Sequence, residues 1–215
     1  MRTIDASLVL AWMNIAADDL HDACPALTDL DAARGDADHG VNMERGFRAI
    51  ASALTADPPA SAGQCLTVAA AVLRKTMGGT TGPLWATALR RAGKTLSAQE
   101  PNEPATLALS LFAAADAVAE IGGAKEGDNT MLDALYPAAR AMKSALDAGM
   151  NLAASVTAAS TAAAEGAAGT AHRIATKGRA SYLGQRGVGH ADPGATSAAI
   201  VVHALCRAVT PPTKN

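Results

Sequence analysis

Aromatic residues are almost missing from this chain: two Trp, two Tyr and two Phe make up 3% of it, although 49% is hydrophobic. The apolar mass is Ala, Leu, Val, Ile and Met, which suits closely approaching helices better than sheets, since strands favour β-branched and aromatic side chains. An excess of one charge is missing too. Lys and Arg number 18 against 20 Asp and Glu, for a net charge of −2, so there is no basic field to hold the phosphates of a nucleic acid. Cysteine is scarce: Cys24, Cys65 and Cys206 are odd in number, isolated and without metal-ligand spacing, which reads as buried thiols in a reducing compartment. Long Leu and Ile runs are also lacking. "LVLAWMNIAA" is short and flanked by Arg2, Asp5, Asp18 and Asp19, unlike a signal peptide. The least charged long run, "AGMNLAASVTAASTAAA", is Ala, Ser and Thr, too weakly apolar to span a bilayer. A soluble cytoplasmic protein is expected, with no nucleic-acid or membrane partner.

What is present is helix. The pattern predicts helical segments over about 4–23, 25–33, 42–55, 61–77, 81–98, 104–122, 130–148, 150–176 and 194–209. Pro25 and Pro104 suit first-turn positions, and Ser61 and Thr130 can cap free amides. No alternating run is long enough for a sheet. The segment 150–176 is low in complexity, yet Ala is the best helix former and lets helices approach, so it reads as a packed helix.

The connections fall into two sorts that alternate. "DPPAS", "QEPNEP" and "AGMN" are plain, whereas "RGDADHGVN", "MGGTTGPL", "IGGAKEGDNTM" and "KGRASYLGQRGVGHADPGAT" are rich in glycine and reactive groups. In an antiparallel up-and-down array every second loop lies at the same end. The four glycine-rich loops should therefore meet at one end, with Pro58 and Pro101 at the other.

Each of those loops leads into a helix N-terminus, where free amides and the helix dipole favour anions. The hydroxyls of Thr80 and Thr81 and the guanidinium of Arg179 suit phosphate oxygens. Asp31, Asp36 and Asp38 would repel a phosphate, and one another, unless a divalent cation such as Mg²⁺ lay among them. Together these parts read as a metal-nucleotide phosphate site of the kind phosphoryl transfer requires. The chain lacks G-x-x-x-x-G-K-[ST], and "GVGHAD" does not fit G-x-G-x-x-G. Each loop taken alone has a plain structural reading: a turn, a helix cap, or for Arg179 a surface ion pair. The joint occurrence of four carries the site.

"GDADHGVNMERGF", "MGGTTGPLW", "GDNTMLDALYPA" and "GRASYLGQRGVGHADPGATSA", in this order along residues 4 to about 209, resemble the nucleotide-binding L subunits of dihydroxyacetone kinase. The resemblance implies one domain over 1–215 and an all-α fold, a closed up-and-down antiparallel barrel of about eight helices, counting the first two segments as one kinked helix. It implies ADP or ATP and two Mg²⁺ ions at one end. Asp31, Asp36 and Asp38 match the magnesium ligands. His39, Gly40, Val41, Asn42, Thr80, Thr81, Gly122, Met131, Arg179, Asp192, Pro193 and Gly194 match the residues around the nucleotide, with Arg179 the catalytic candidate. His21, His172 and His203 read as structural or surface groups, and His190 as a residue behind the site.

The family commonly reads "GDKTMLDAL" and "GERSIGH", where this chain has Asn129 for the lysine, and Gln185 and Gly187 in the second string. Two functions follow from the resemblance. In the first, the chain is the phosphoryl-transfer part of a split kinase for dihydroxyacetone, or for another short ketose such as erythrulose. Its partners would be a sugar-binding K-type subunit and an M-type phosphocarrier of the phosphotransferase system, with a homodimer left open. In the second it is an ADP–Mg²⁺ binding module that signals to a regulator.

Overall fold

The computed structural model describes residues 3–98 and 103–210. Among the described residues nine α-helices follow one another: α1 (Ala6–Asp22), α2 (Cys24–Ala32), α3 (His39–Ala56), α4 (Ala62–Thr76), α5 (Thr81–Ala98), α6 (Pro104–Gly122), α7 (Leu132–Asp147), α8 (Leu152–Gly169) and α9 (Pro193–Val209). Two 3₁₀ segments, Thr170–His172 and Arg179–Gly187, lie between α8 and α9, and there is no strand among the described residues. Pro101 and most of the "QEPNEP" loop lie outside the described residues.

The caps explain most boundaries. The carboxylate of Asp5 accepts from the amide of Leu8, the hydroxyl of Ser61 from that of Gln64, and Asn151 from that of Ala154, each satisfying a free amide at a helix start. Pro25 and Pro104 occupy the first turns of α2 and α6, as expected. Thr130 does not cap α7 from the N-cap position, which Met131 holds; its hydroxyl accepts from the Leu132 amide instead. The helix expected over 150–176 ends at Gly169. There the Thr170 hydroxyl bonds back to the Ala167 carbonyl and accepts from the Asp192 amide, while Asn129 takes the Thr170 carbonyl. These long-range bonds turn the chain before the alanine pattern runs out. Conversely, α3 begins at His39, three residues before the expected 42.

Each helix packs on its neighbour in the chain from α3 to α9, α1 packs on α3, and α9 returns to pack on α1. The result is a closed ring of eight antiparallel helices. Helix α2 stands outside that count, packed on α3 and α9, so eight is reached by setting α2 aside as well as by joining it to α1. Trp12 on α1 donates its indole N–H to the Val201 carbonyl of α9 at 2.7 Å, and Arg207 pairs with Asp19 across the same contact. These bonds tie the seam where the ring closes.

Small residues set the distances between helices. A Cβ on Gly63 of α4 would lie 2.5 Å from the Gly93 carbonyl oxygen of α5, and one on Gly93 would lie 2.6 Å from that of Gly63. Pro137 inside α7 cannot donate to the Asp133 carbonyl four residues back. That freed carbonyl faces Gly166 of α8, where a Cβ would come within 1.9 Å. Of the few aromatics, Trp12, Phe47 and Trp85 are inside, and Phe47 and Trp85 meet edge to face at 5.5 Å. Helix α6 has a mean hydropathy of 1.5 and is long and apolar enough to cross a membrane, but half of it is buried between α5 and α7. All three cysteines are free; Cys65 and Cys206 are buried as expected, whereas Cys24 is only partly so.

Two outcomes follow from this packing. Gly166→Ala should force α7 and α8 apart and lower stability by about 1–3 kcal/mol, read from chemical denaturation. The second concerns Asp192, which caps α9 by accepting from the Ala195 amide. Burial pushes its carboxyl up to about 6 from the usual 3.8, the amides and Arg34 opposing this. Its folded form therefore holds the proton more tightly than the unfolded chain, and its contribution is present below pH 4 and lost as pH rises through 6. Asp192→Asn keeps the cap acceptor and removes the titration. Between pH 4 and 6 its stability should lack a decline of up to ~1.4 kcal/mol per pH unit that the parent shows, as measured by urea unfolding across that range.

Candidate functional site

The first glycine-rich loop is organised by one carboxylate. Asp31, buried at the end of α2, accepts through Oδ2 from the backbone amides of Asp38 and His39, at 2.9 and 3.1 Å. These are the first free amides of α3, so Asp31 caps that helix from seven residues upstream and lets it begin at His39. Asp38, in the N-cap position itself, makes no side-chain cap bond among the described residues, which leaves its carboxylate for another ligand. Ala37, between the two exposed aspartates, has a φ of 62°, a left-handed conformation that costs a non-glycine residue about 1–2 kcal/mol. The turn brings one carboxylate oxygen each from Asp31, Asp36 and Asp38 within 4.8 Å of one another. Gly35 leaves the other Asp31 oxygen open, since a Cβ there would lie 2.2 Å from Oδ1. Hard oxygens so gathered, around a space that a side chain would fill, fit a cation such as Mg²⁺.

The remaining loops close on this one. Arg179 of the fourth loop reaches Asp36 Oδ2 at 3.0 Å, and both side chains remain accessible. His39 bonds through Nε2 to the Ser197 hydroxyl at 2.9 Å, and its ring also meets the Pro193 backbone. Burial pulls the imidazole below its ordinary value, with Asp31 and Asp38 opposing, so a neutral ring pins the start of α3 to the start of α9. Gly194 stands against Met131 of the third loop, whose backbone nitrogen would lie 3.7 Å from a Cβ there. In the second loop Gly82 packs its Cα on the Met77 carbonyl, and Leu84 of α5 lies beside Gly122. Arg45 of α3 donates to the Thr76 carbonyl at the end of α4.

The structure thus brings Asp31, Asp36, Asp38, His39, Met131, Arg179, Pro193 and Gly194 into one connected cluster, with Asp192 beside it. Gly40 and Asn42 are buried at the start of α3, and Val41 is half exposed. Gly40 lies against α2, where a Cβ would lie 2.3 Å from the Cys24 carbonyl. Thr80, Thr81 and Gly122 stand at the same end of the ring on its α4–α7 side, joined to the cluster through α3 and the third loop rather than by direct contact with the aspartates. Among the other histidines, His21 pairs with Glu44 and His203 with Ser160. His190 enters by its backbone carbonyl, which accepts from Arg34, and not by its ring.

Of four buried or partly buried groups behind the site, the sequence singled out Asn129 alone, as a departure from the family string, and not Asp133, Arg173 or Arg34. Asp133 accepts from the amides of Gly127 and Thr130 and pairs with Arg173, so it shapes the third loop. Asn129, at a φ of 67°, donates to the carbonyls of Thr170 and Arg173. Arg34 is 97% buried and reaches the His190 carbonyl at 2.8 Å and Asn129 Oδ1 at 3.4 Å. Asp133, Asn129 and Arg34 stood inside the quoted motifs, but only the folded contacts show what they hold. A groove of about 840 Å³ lies elsewhere, among Asp19, Leu30, Ala164, Ala191, Ile200 and Arg207. Six of its fourteen lining residues are alanines and its Arg207 is already paired with Asp19; neither the three clustered aspartates nor Arg179 line it.

Residues 33–207 match the DAK2 domain family. The chain is 34% identical over 206 residues to the PEP-dependent dihydroxyacetone kinase ADP-binding subunit DhaL of Escherichia coli, covering 96% of this chain and 98% of that one. It is 31% identical to the PTS-dependent counterpart of Lactococcus lactis, covering 97% of this chain and all of the relative. An L-erythrulose 1-kinase of Mycolicibacterium smegmatis is 38% identical over 178 residues, 82% of this chain but 31% of that protein. Among solved structures, the dihydroxyacetone kinase of C. freundii in complex with AMP-PNP and Mg²⁺ superposes with a TM-score of 0.72 at 29% identity, covering 96% of this chain and 35% of that one. A ring of eight helices with its acidic, glycine-rich loops at one end, and relatives of its own length over nearly every residue, place the chain in the DAK2-domain family, with the ADP-binding L subunits of dihydroxyacetone kinase.

Proposed function

We propose that this chain is the ADP–Mg²⁺ binding, phosphoryl-transferring subunit of a multi-subunit dihydroxyacetone kinase of the phosphotransferase-dependent kind, acting in the cytoplasm. The observation that carries this reading is the gathering of Asp31, Asp36 and Asp38 within 4.8 Å, with Arg179 on Asp36, at the end where helices α3, α5, α7 and α9 begin. The three aspartates would hold two Mg²⁺ ions, which when bound neutralise charge between carboxylates and phosphate oxygens. The free amides at the starts of α5 and α9, with the hydroxyls of Thr80 and Thr81, orient the phosphates. Met131, Gly122 and the Asp192–Gly194 turn surround the nucleoside, and Gly194 lets it approach the backbone. Arg179 stands over the aspartate cluster on a mobile-length side chain, placed to balance charge that develops on the transferred group.

The acceptor is the part this site does not hold. Phosphoryl transfer depends on positioning and electrostatics, and the loop end offers no group suited to anchoring a three-carbon ketone. A K-type subunit would supply the ketose, and an M-type phosphocarrier would recharge the nucleotide in place. Val41, Ile121, Ile174, Tyr182 and Val188 support docking there: all are exposed, Tyr182 to 87%, and all belong to the loop end. An erythrulose substrate is the weaker reading, because the chain spans only 31% of the erythrulose kinase against 98% of the E. coli subunit.

Asp36→Ala should abolish tight ADP binding in the presence of Mg²⁺ and leave the helical circular dichroism intact; calorimetry showing unchanged affinity would remove Asp36 from the metal site. The isolated chain, given ATP and Mg²⁺, should phosphorylate dihydroxyacetone negligibly until a K-type subunit is added, and robust turnover alone would overturn the split-kinase reading. In the complex, Arg179→Ala should lower turnover by on the order of 100-fold while ADP affinity changes far less, as steady-state rates beside calorimetry will tell.

A further inference from the structure

Arg34 is a buried cation that no carboxylate binds directly, although the buried carboxyl of Asp192 lies close enough to feel its charge. Its residue is 97% buried, yet no ion pair joins it to any acid among the described residues; its Nη1 is held by the His190 carbonyl and Asn129, and its Nε and Nη2 have no hydrogen-bond partner there. Two other arginines of the loop end are matched: Arg173 with Asp133 and Arg179 with Asp36. Burying a charge with two unsatisfied donors is unfavourable by several kcal/mol unless something compensates it. The position is not peripheral. Arg34 links the first loop to Asn129 of the third and to His190 of the fourth, two residues before Asp192, and stands one residue from Gly35 in the aspartate turn. Asn129 occupies the position where the resembling family commonly carries a lysine, so the guanidinium arrives from the first loop at a point where the third loop has lost its cation.

We propose that Arg34 is a positioning residue of the nucleotide site: the internal cation that joins three of its loops and whose charge is shared between the Asp192 carboxylate and the bound polyphosphate. The inference rests on the nucleotide reading above. At 97% burial Arg34 does not face the open cleft, so it acts through the His190–Gly194 segment and through its field, not as a catalytic residue. Its role is defined by charge at this junction, and a cation from the neighbouring position should serve equally.

The test compares the full chain with Arg34→Met and with Arg34→Met combined with Asn129→Lys, by calorimetric titration of ADP in Mg²⁺ and by thermal melting without nucleotide. Arg34→Met should weaken ADP binding by about tenfold or more, yet melt within about 5 °C of the parent, because two unsatisfied donors go with the charge and Asp192, left without its cation, can take up a proton. The double variant should recover ADP affinity to within about threefold. A parent that binds no ADP would overturn the nucleotide reading itself. A parent that binds ADP beside an Arg34→Met variant that binds equally well would overturn the proposal alone. An Arg34→Met variant that fails to fold, or a double variant as weak as the single one, would show a structural role fixed by the shape of arginine and would overturn it as well.

Discussion

The carboxylate of Asp31 is the point from which the loop end is built. It lies at the C-terminal end of α2, a helix outside the ring, and it caps α3, a helix inside it. Two amides of α3 thereby gain a charged acceptor, and the chain between must reverse within seven residues. That reversal places Asp36 and Asp38 beside Asp31, and Gly35 and the left-handed Ala37 are its steric consequences. One hydrogen-bonding requirement, satisfying the first free amides of a helix, thus concentrates three negative charges at a helix start.

The rest of the ring makes that concentration tolerable. Four helix N-termini meet at this end and contribute positive dipole ends. Arg34, Arg173 and Arg179 come from the first and fourth loops, and neutral His39 fastens α3 to α9 without adding charge. At the opposite end, α4 and α8 start from plain turns capped by Ser61 and Asn151. The polarity of the molecule is a result of antiparallel closure: an even number of helices puts all odd-numbered crossings at one rim.

Much of this was legible in the residues. The caps at Ser61, Pro25 and Pro104, the alanine-rich helices and the alternation of plain and glycine-rich loops act within a few residues, and local hydrogen bonding and propensity decide them. Asp31, Asp36 and Asp38 were readable together because they share one turn, as were Arg179 and the Asp192–Gly194 turn through motif likeness. The end of α8 at Gly169 was not readable, since the signal to stop is a set of bonds from Asn129 and Asp192, far along the chain. Nor was the early start of α3, which depends on Asp31 and not on a conventional cap residue.

By itself the sequence determined that the chain is helical, where most helices start, and which loops gather glycines and acidic groups, because propensity, capping and charge repulsion are short-range and written residue by residue. Only the tertiary structure decided that α1 closes on α9 through Trp12 and Val201, and that α2 lies outside the ring. It alone decided that Pro137 frees a carbonyl for Gly166 to pass, that His190 serves by its backbone, and that Arg34 is buried against Asn129. Those outcomes depend on partners up to 189 residues apart, and burial, which sets the worth of every unpaired donor, exists only once the ring is closed.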